Sequence, residues 1–180
     1  MIVTENLISQ LADAIVRRSA PYASGKMLVA PARSAVSRAY GRIWVRLPYM
    51  LEGVQGCGVY AVSAEGRARW GEFPDIISDD TFVRVQFKSG ERVGVPAPYS
   101  WPLPEGFRNL VRVRRRADAG IGEIYRDYPE LVPNEDKRPI GPRDMMRLAI
   151  SMPVSFAIYV AVVLAARSSG WRRRGWSRGR

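Results

Sequence analysis

Residues 56–95 read GCGVYAVSAEGRARWGEFPDIISDDTFVRVQFKSGERVGV, and the parsing of this stretch decides the fold. Gly56 and Gly58 punctuate its start. Val59-Tyr60-Ala61-Val62-Ser63 follows, a short strand rich in β-formers. Ala64 to Trp70 is a short helix or turn carrying Arg67 and Arg69, and Glu72-Phe73-Pro74-Asp75 is a loop. Asp79-Asp80 opens a segment, Thr81 to Lys88, that admits two readings. Val83, Val85 and Phe87 alternate with Arg84, Gln86 and Lys88, as in a strand. An Asp N-cap with Phe82, Val83 and Phe87 on one face fits a helix. Arg92 to Val95 is a strand candidate limited by Pro96 and Pro98.

Outward from this stretch the pattern remains mixed α and β. Thr4 is a fitting N-cap, with Leu7, Ile8, Leu11, Ala14 and Ile15 at helical spacing over about 5–18. Pro21 to Pro31 is a loop or short extended stretch. Ser34 to Trp44 is a second helix with Val36, Tyr40 and Ile43 or Trp44 on one face, stopped at or before Pro48. Pro104 and Glu105 start a long helix on which Phe107, Leu110 and Val111 form an i, i+3, i+4 face. Glu123 to Ile140 is polar, holds three prolines and reads as an irregular connector. The chain has no internal repeat.

Its 180 residues give room for about one domain. There is no His, which excludes His-based triads, HExxH sites and His-rich metal sites. A single cysteine, Cys57, forms no internal disulfide and reads as a small buried residue of a reduced, intracellular chain. Glu5, Asp13, Arg17 and Arg18 interrupt the first apolar stretch, so no signal peptide is expected.

Net charge is +11, concentrated at the end. Arg167, Arg172, Arg173, Arg174, Arg178 and Arg180 lie in residues 167–180 without an acid, and the rest is mildly basic. Before this tail, Leu148 to Ala166 is a run of nineteen uncharged residues. As one helix it would extend roughly 28 Å, close to the hydrocarbon thickness of a bilayer. Trp171 and Trp176 add interfacial aromatics. Ser151, Pro153 and Ser155 weaken a spanning reading and leave a buried core helix as the alternative. Lys137, Arg138, Arg143 and Arg147 make the preceding flank basic too, so charge asymmetry does not orient the segment. The expected organisation is a body at 1–125, a connector at 126–147, an apolar transmembrane or interfacial helix at 148–166, and an Arg-rich tail. The partner this favours is an anionic membrane surface.

The ordered series Gly56-Cys57-Gly58-Val59-Tyr60-Ala61-Val62-Ser63, Gly66-Arg67, Phe73-Pro74-Asp75, Ser78-Asp79-Asp80-Thr81-Phe82-Val83-Arg84 and Glu91-Arg92 resembles the second half of the catalytic domain of family 2 glycosyltransferases with the GT-A fold. In that family a glycine-flanked strand precedes a short helix, a Phe-Pro loop and an acidic pair opening a helix. A strand and a basic helix come next, here Leu110 to Gly120 with Arg112, Arg114, Arg115 and Arg116. The resemblance covers roughly residues 20–125. It implies an α/β fold with a partial GT-A-like sheet, flanking helices and a membrane-associated C-terminal helix.

The chemistry it implies is transfer of a sugar from a nucleotide-sugar donor to an acceptor hydroxyl with inversion, assisted by a carboxylate base. Asp80 matches the base and Asp79 its companion. An Asp at a helix N-terminus is favoured in its ionised form. Substrate contacts would come from Gly56, Gly58, Phe73, Pro74, Arg112 and Arg116. The family also implies a divalent metal, Mg or Mn, on a D-x-D motif in the donor half. No D-x-D occurs here, and the family's Gln-x-x-Arg-Trp signature is missing from the basic helix. The expectation is therefore an acceptor-side portion at the cytosolic face of the membrane, with an N-terminal half on another chain as a partner.

Plainer readings stand beside these. Asp79-Asp80 is also a good helix cap. Gly56-Cys57-Gly58 is no phosphate loop, since no Lys-Ser/Thr follows, and it is either a close backbone approach or the lining of an acceptor pocket. Arg112 to Arg116 is a solvated helix face or a phosphate contact. Trp70 and Trp101 read as packing residues, with sugar stacking as the alternative. The competing function is a non-catalytic basic adaptor for membrane or nucleic acid. Nucleic acid is disfavoured, because neither zinc-finger spacing nor aromatic–basic interleaving is present.

Overall fold

The computed structural model describes residues 1–168. Helix α1 (Glu5–Val16) begins where Thr4 Oγ1 accepts the Leu7 N–H at 3.3 Å. Strand β1 (Tyr22–Val29) follows, then α2 (Ala35–Trp44), capped by Ser34, and the single turn α3 (Pro48–Leu51). The central stretch forms β2 (Ala61–Val62), α4 (Ala64–Arg67) and α5 (Asp79–Val85). Strand β3 (Arg92–Trp101), the long helix α6 (Phe107–Asp127), a 3-10 turn at Pro129–Asn134, α7 (Pro142–Ser151) and α8 (Pro153–Arg167) complete the order.

The fold is α/β, with a three-stranded mixed sheet in the order β2-β1-β3. β1 runs antiparallel to β2, pairing Tyr22 with Val62, and parallel to β3, pairing Tyr22 with Arg92 and Val29 with Trp101. Residues adjacent on β1 face opposite sides. Ala23 joins Leu7, Leu11, Ala14, Val95 and Ala97 under α1. Tyr22 joins Phe82, Val83, Val85, Phe87 and Ile124 beneath α5 and the end of α6. A third cluster, Tyr40, Leu110, Val111 and Val162, locks α2, α6 and α8 together.

Several expectations change. Of the two readings of residues 21–31, loop or short extended stretch, the second holds, since Tyr22–Val29 forms the middle strand. β3 runs through both prolines, which an edge strand tolerates because it needs donors on one side only. The register shift between Ser24 and Lys26 absorbs the Pro96–Pro98 region, and the Ala97 N–H goes to Gln10 Oε1 at 2.9 Å. The ambiguous segment after Asp80 is a helix, and α6 extends into the expected connector.

The apolar run 148–166 is not one helix. α7 ends at Ser151 and α8 starts at Pro153, whose ring cannot continue the preceding turn. Among the described residues no helix is long and apolar enough to cross a membrane. Val162 and Leu148 are buried against α2, α6 and neighbouring segments instead. Arg115 reaches the end of α8, donating to the carbonyls of Ala166 at 3.0 Å and Ala165 at 2.5 Å. Trp171, Trp176 and the arginines from Arg172 onward lie outside the described residues.

Candidate functional site

The turn at Gly56–Val59 is held from three directions. Tyr99 on β3 donates its hydroxyl to the Cys57 carbonyl at 3.1 Å, and Ser24 on β1 donates to the Val59 carbonyl at 2.6 Å. The third hold is Asp80, whose Oδ2 accepts the Gly58 N–H at 3.2 Å. Gly56 and Gly58 have φ of 65° and 64°, the left-handed region where a Cβ is strained. A Cβ at Gly56 would also overlap the Tyr22 hydroxyl, and one at Gly58 would lie 2.8 Å from the Trp101 ring. Glycine is needed at both positions for the turn to sit on the sheet.

Asp80 enters from the first turn of α5. Its Oδ1 accepts the Thr81 N–H at 2.7 Å, and its own N–H is accepted by Asp79 Oδ1 at 2.9 Å. Asp79 is exposed, whereas Asp80 is half-buried. An ionised carboxylate offers about four acceptor positions, so backbone donors leave part of the Asp80 capacity open.

The floor of the site is Tyr22. It is fully buried, among the described residues its hydroxyl has no hydrogen-bond partner, and burial pushes its pKa well above the ordinary phenol value. The Cys57 thiol is raised by burial and then by the Asp80 charge. Lys137 is lowered by burial and by the Arg84 charge, against the opposing pull of Glu135. Desolvation thus dominates around the glycine turn, and the Asp80 charge acts on groups from three separate segments.

Behind the site lies a buried ion network. Arg84 on α5 is 2% exposed and donates to Glu135 at 2.6 Å and to Asp136 Oδ1 at 3.1 Å. Arg92 on β3 donates to the same Asp136 oxygen at 2.8 Å. It also donates to the carbonyls of Phe87 and Asn134, while the Asn134 amide donates to the Val85 carbonyl at 2.8 Å. Burial raises the Glu135 carboxyl, but hydrogen bonding and attraction from Arg84 outweigh it and hold the pKa low. Removing one partner of such a network leaves a buried charge uncompensated, typically at a cost of about 3–5 kcal/mol. The 134–138 segment is therefore a strap across α5 and β3, anchored further by Arg138 on Glu52 at 2.8 Å.

The remaining sequence-predicted residues lie elsewhere. Phe73 is half exposed and stacks edge-on to Trp70 at 5.7 Å, with the Arg67 guanidinium over both rings. Pro74 caps the same loop through its carbonyl, which accepts the Ile76 N–H. Arg112 and Arg116 sit on the exposed face of α6, while Arg114 turns inward to Asp118 at 2.9 Å. Gly56, Gly58 and Asp80 are thus brought together with Asp79 adjacent, whereas among the described residues Phe73, Pro74, Arg112 and Arg116 make no hydrogen bond or ion pair with that carboxylate. Tyr22, Tyr99, Glu135 and Asp136 escaped the sequence reading, in which Arg84 and Arg92 stood only as members of the motif series and Lys137 only as part of the basic flank.

No protein-family model, curated protein or solved structure matches the chain. Among the described residues no group of three or more Cys, Asp or Glu is placed to hold a metal ion. Asp79 spends one oxygen on a backbone N–H and Asp80 spends both, and among the described residues no third acid joins them. The donor set does not fit the divalent metal expected from the resemblance.

Proposed function

We propose that the chain is the acceptor-side portion of a glycosyltransferase that uses a nucleotide sugar, with Asp80 as the base. The observation that carries the reading is the Asp80–Gly58 hydrogen bond at 3.2 Å. It joins two motifs, the glycine turn and the acidic pair, that the resemblance puts in one site. The element order supports it too: strand β2, short helix α4, the Phe73-Pro74 loop, the acid pair opening α5, strand β3 and basic helix α6.

In the proposed reaction the acceptor hydroxyl gives its proton to Asp80. The acceptor oxygen attacks the anomeric carbon from the side opposite the diphosphate. A new C–O bond forms, the bond to the diphosphate oxygen breaks, and the nucleoside diphosphate leaves with inversion. In the proposed site the exposed Gly58 presents backbone beside Asp80, and buried Tyr22 lies beneath the turn. No step is assigned to a metal held by this chain. The donor-binding half is proposed to come from another chain. The proposed location is the cytosolic face of a membrane, where exposed Met146, Ile150, Val154 and Leu164 supply an interfacial apolar surface.

The test uses membranes from cells lacking the chain. Adding the wild-type protein is expected to restore transfer from a radiolabelled nucleotide sugar to an endogenous acceptor. Asp80→Asn is expected to lower the rate about 10²–10⁴-fold. No restoration by wild-type protein overturns the enzyme reading and favours the basic adaptor. Full restoration by Asp80→Asn removes Asp80 as the base.

A further inference from the structure

A second candidate site lies away from Asp80, between α2 and the first turn of α8. A groove of about 280 Å³ opens there, walled by Val36, Ala39 and Ile158. Its polar groups are all suited to an anion. Arg38 and Arg42 line it, and no carboxylate does. Arg38 is fixed by donating Nη1 to the carbonyls of Ala32 and Arg33 and feels the Glu105 carboxylate, while among the described residues its Nη2 and Nε make no hydrogen bond. Arg42 is exposed, and among the described residues its guanidinium makes no hydrogen bond or ion pair.

The groove also meets the N-terminus of a fifteen-residue helix. The first intrahelical bond of α8 is from the Phe156 N–H to the Met152 carbonyl, so the N–H groups of Val154 and Ser155 have no acceptor within the helix. Helix N-termini carry partial positive charge that favours phosphate. Independently, Ser155 is only 5% exposed, lines the groove, and among the described residues its hydroxyl makes no hydrogen bond. A buried hydroxyl ordinarily has a partner. Here the residue lines the groove.

Apolar side chains wall the same groove at Val36, Val154 and Ile158. Val154 lines the groove and is 71% exposed, and Met146 and Ile150 on α7 are 65% and 76% exposed. Met146 and Ile150 are four residues apart and share a helix face. An anionic head with a hydrocarbon tail matches this sequence of surfaces.

We propose that this groove binds the phosphate monoester head of a lipid, gripped by Arg42, Arg38, the Ser155 hydroxyl and the α8 N-terminus. The acyl chain lies over Val154 and Ile150. The proposal does not rest on the transferase reading, since none of these residues touches Asp80.

The test is calorimetric titration of the full chain with decanoyl lysophosphatidate below its micellar concentration, with inorganic phosphate in a parallel arm. Saturable one-site binding is expected. Arg42→Glu weakens it at least about tenfold, since a charge-assisted contact becomes a repulsion. Ser155→Val weakens it measurably, and Arg17→Glu, the same charge change on α1, leaves it unaltered. Circular dichroism of each variant reports folding; Arg42 is exposed, so its replacement keeps the fold. Inorganic phosphate binds at least about tenfold more weakly than the lipid, because the tail contributes burial. Absence of saturable binding overturns the proposal. So does equal weakening by Arg17→Glu and Arg42→Glu, which indicates net charge alone, or equal affinity for inorganic phosphate, which indicates that no tail is recognised.

Discussion

Asp80 Oδ2 accepts the backbone N–H of Gly58 across 22 positions of sequence. This contact fixes the glycine turn to the first turn of α5, while Tyr99 and Ser24 fix the same turn to the sheet. Predictions about the site therefore begin with the turn.

Gly56→Ala should be strongly destabilising. The residue has φ of 65°, and its Cβ would enter the Tyr22 hydroxyl. Left-handed strain alone costs roughly 1–2 kcal/mol, and the overlap adds to it. Gly71→Ala, where no atom lies within 4 Å of the new methyl, should shift the melting temperature far less. Thermal unfolding of both variants checks the contrast.

Two helical glycines on α6 should respond in opposite directions. At Gly120 a Cβ would lie 2.9 Å from Ser78 Cβ and 3.1 Å from Ile77 Cβ, in the segment that launches α5. At Gly122 it would meet nothing within 4 Å. Gly122→Ala should stabilise by up to about 1 kcal/mol through helix propensity. Gly120→Ala should lose that gain and more to the clash. Urea unfolding midpoints distinguish them, and equal gains would contradict the close packing of α6 on Ser78.

The strap predicts a coupling. Asp136→Ala leaves Arg92 and Arg84 without a shared acceptor and should cost about 3–5 kcal/mol. Arg84→Met combined with Glu135→Leu should cost less than the sum of the single changes, since the pair is removed together. A double-mutant cycle measured by denaturant unfolding provides the check.

Acid should loosen the same framework. Arg69 hydrogen bonding, with a backbone bond from Lys88, holds Glu91 at about 2 against its ordinary 4.5, and Arg84 holds Glu135 low despite its burial. A carboxyl whose pKa falls on folding contributes stability that is complete above its unfolded value and lost as pH drops through its folded value. Melting temperature should therefore fall progressively from about pH 4.5 toward pH 2, and Glu91→Gln should flatten part of that slope. A profile unchanged by Glu91→Gln would show that the Arg69 pair contributes nothing.

Local signals were legible where the physics is local. Thr4 and Ser34 cap their helices as their side chains predict, and the Phe107–Leu110–Val111 spacing located α6, with Leu110 and Val111 buried. The resemblance placed Gly58 and Asp80 in one site, and the two are hydrogen-bonded in the fold. What could not be read depends on distant partners. Residues 22–29, with their Gly and Lys, form a strand because β3 and β2 flank them on both sides. Arg84 and Arg92 resemble solvated charges until Glu135 and Asp136 are folded over them. The apolar run 148–166 suggested one long helix, whereas Pro153 divides it and two earlier helices take up part of its surface.

Parallel pairing of Tyr22 with Arg92 sets an order of assembly. The glycine turn, the acid pair and Arg84 all belong to the excursion between those two residues. Closing so long a loop is entropically expensive and typically slow. A nascent chain that stops short of Arg92 has neither the second hydroxyl anchor from Tyr99 nor the arginine that receives the strap. The glycine turn and Asp80 gain their full set of anchors only after the last strand arrives, so the candidate site is completed together with the sheet rather than piecemeal during synthesis.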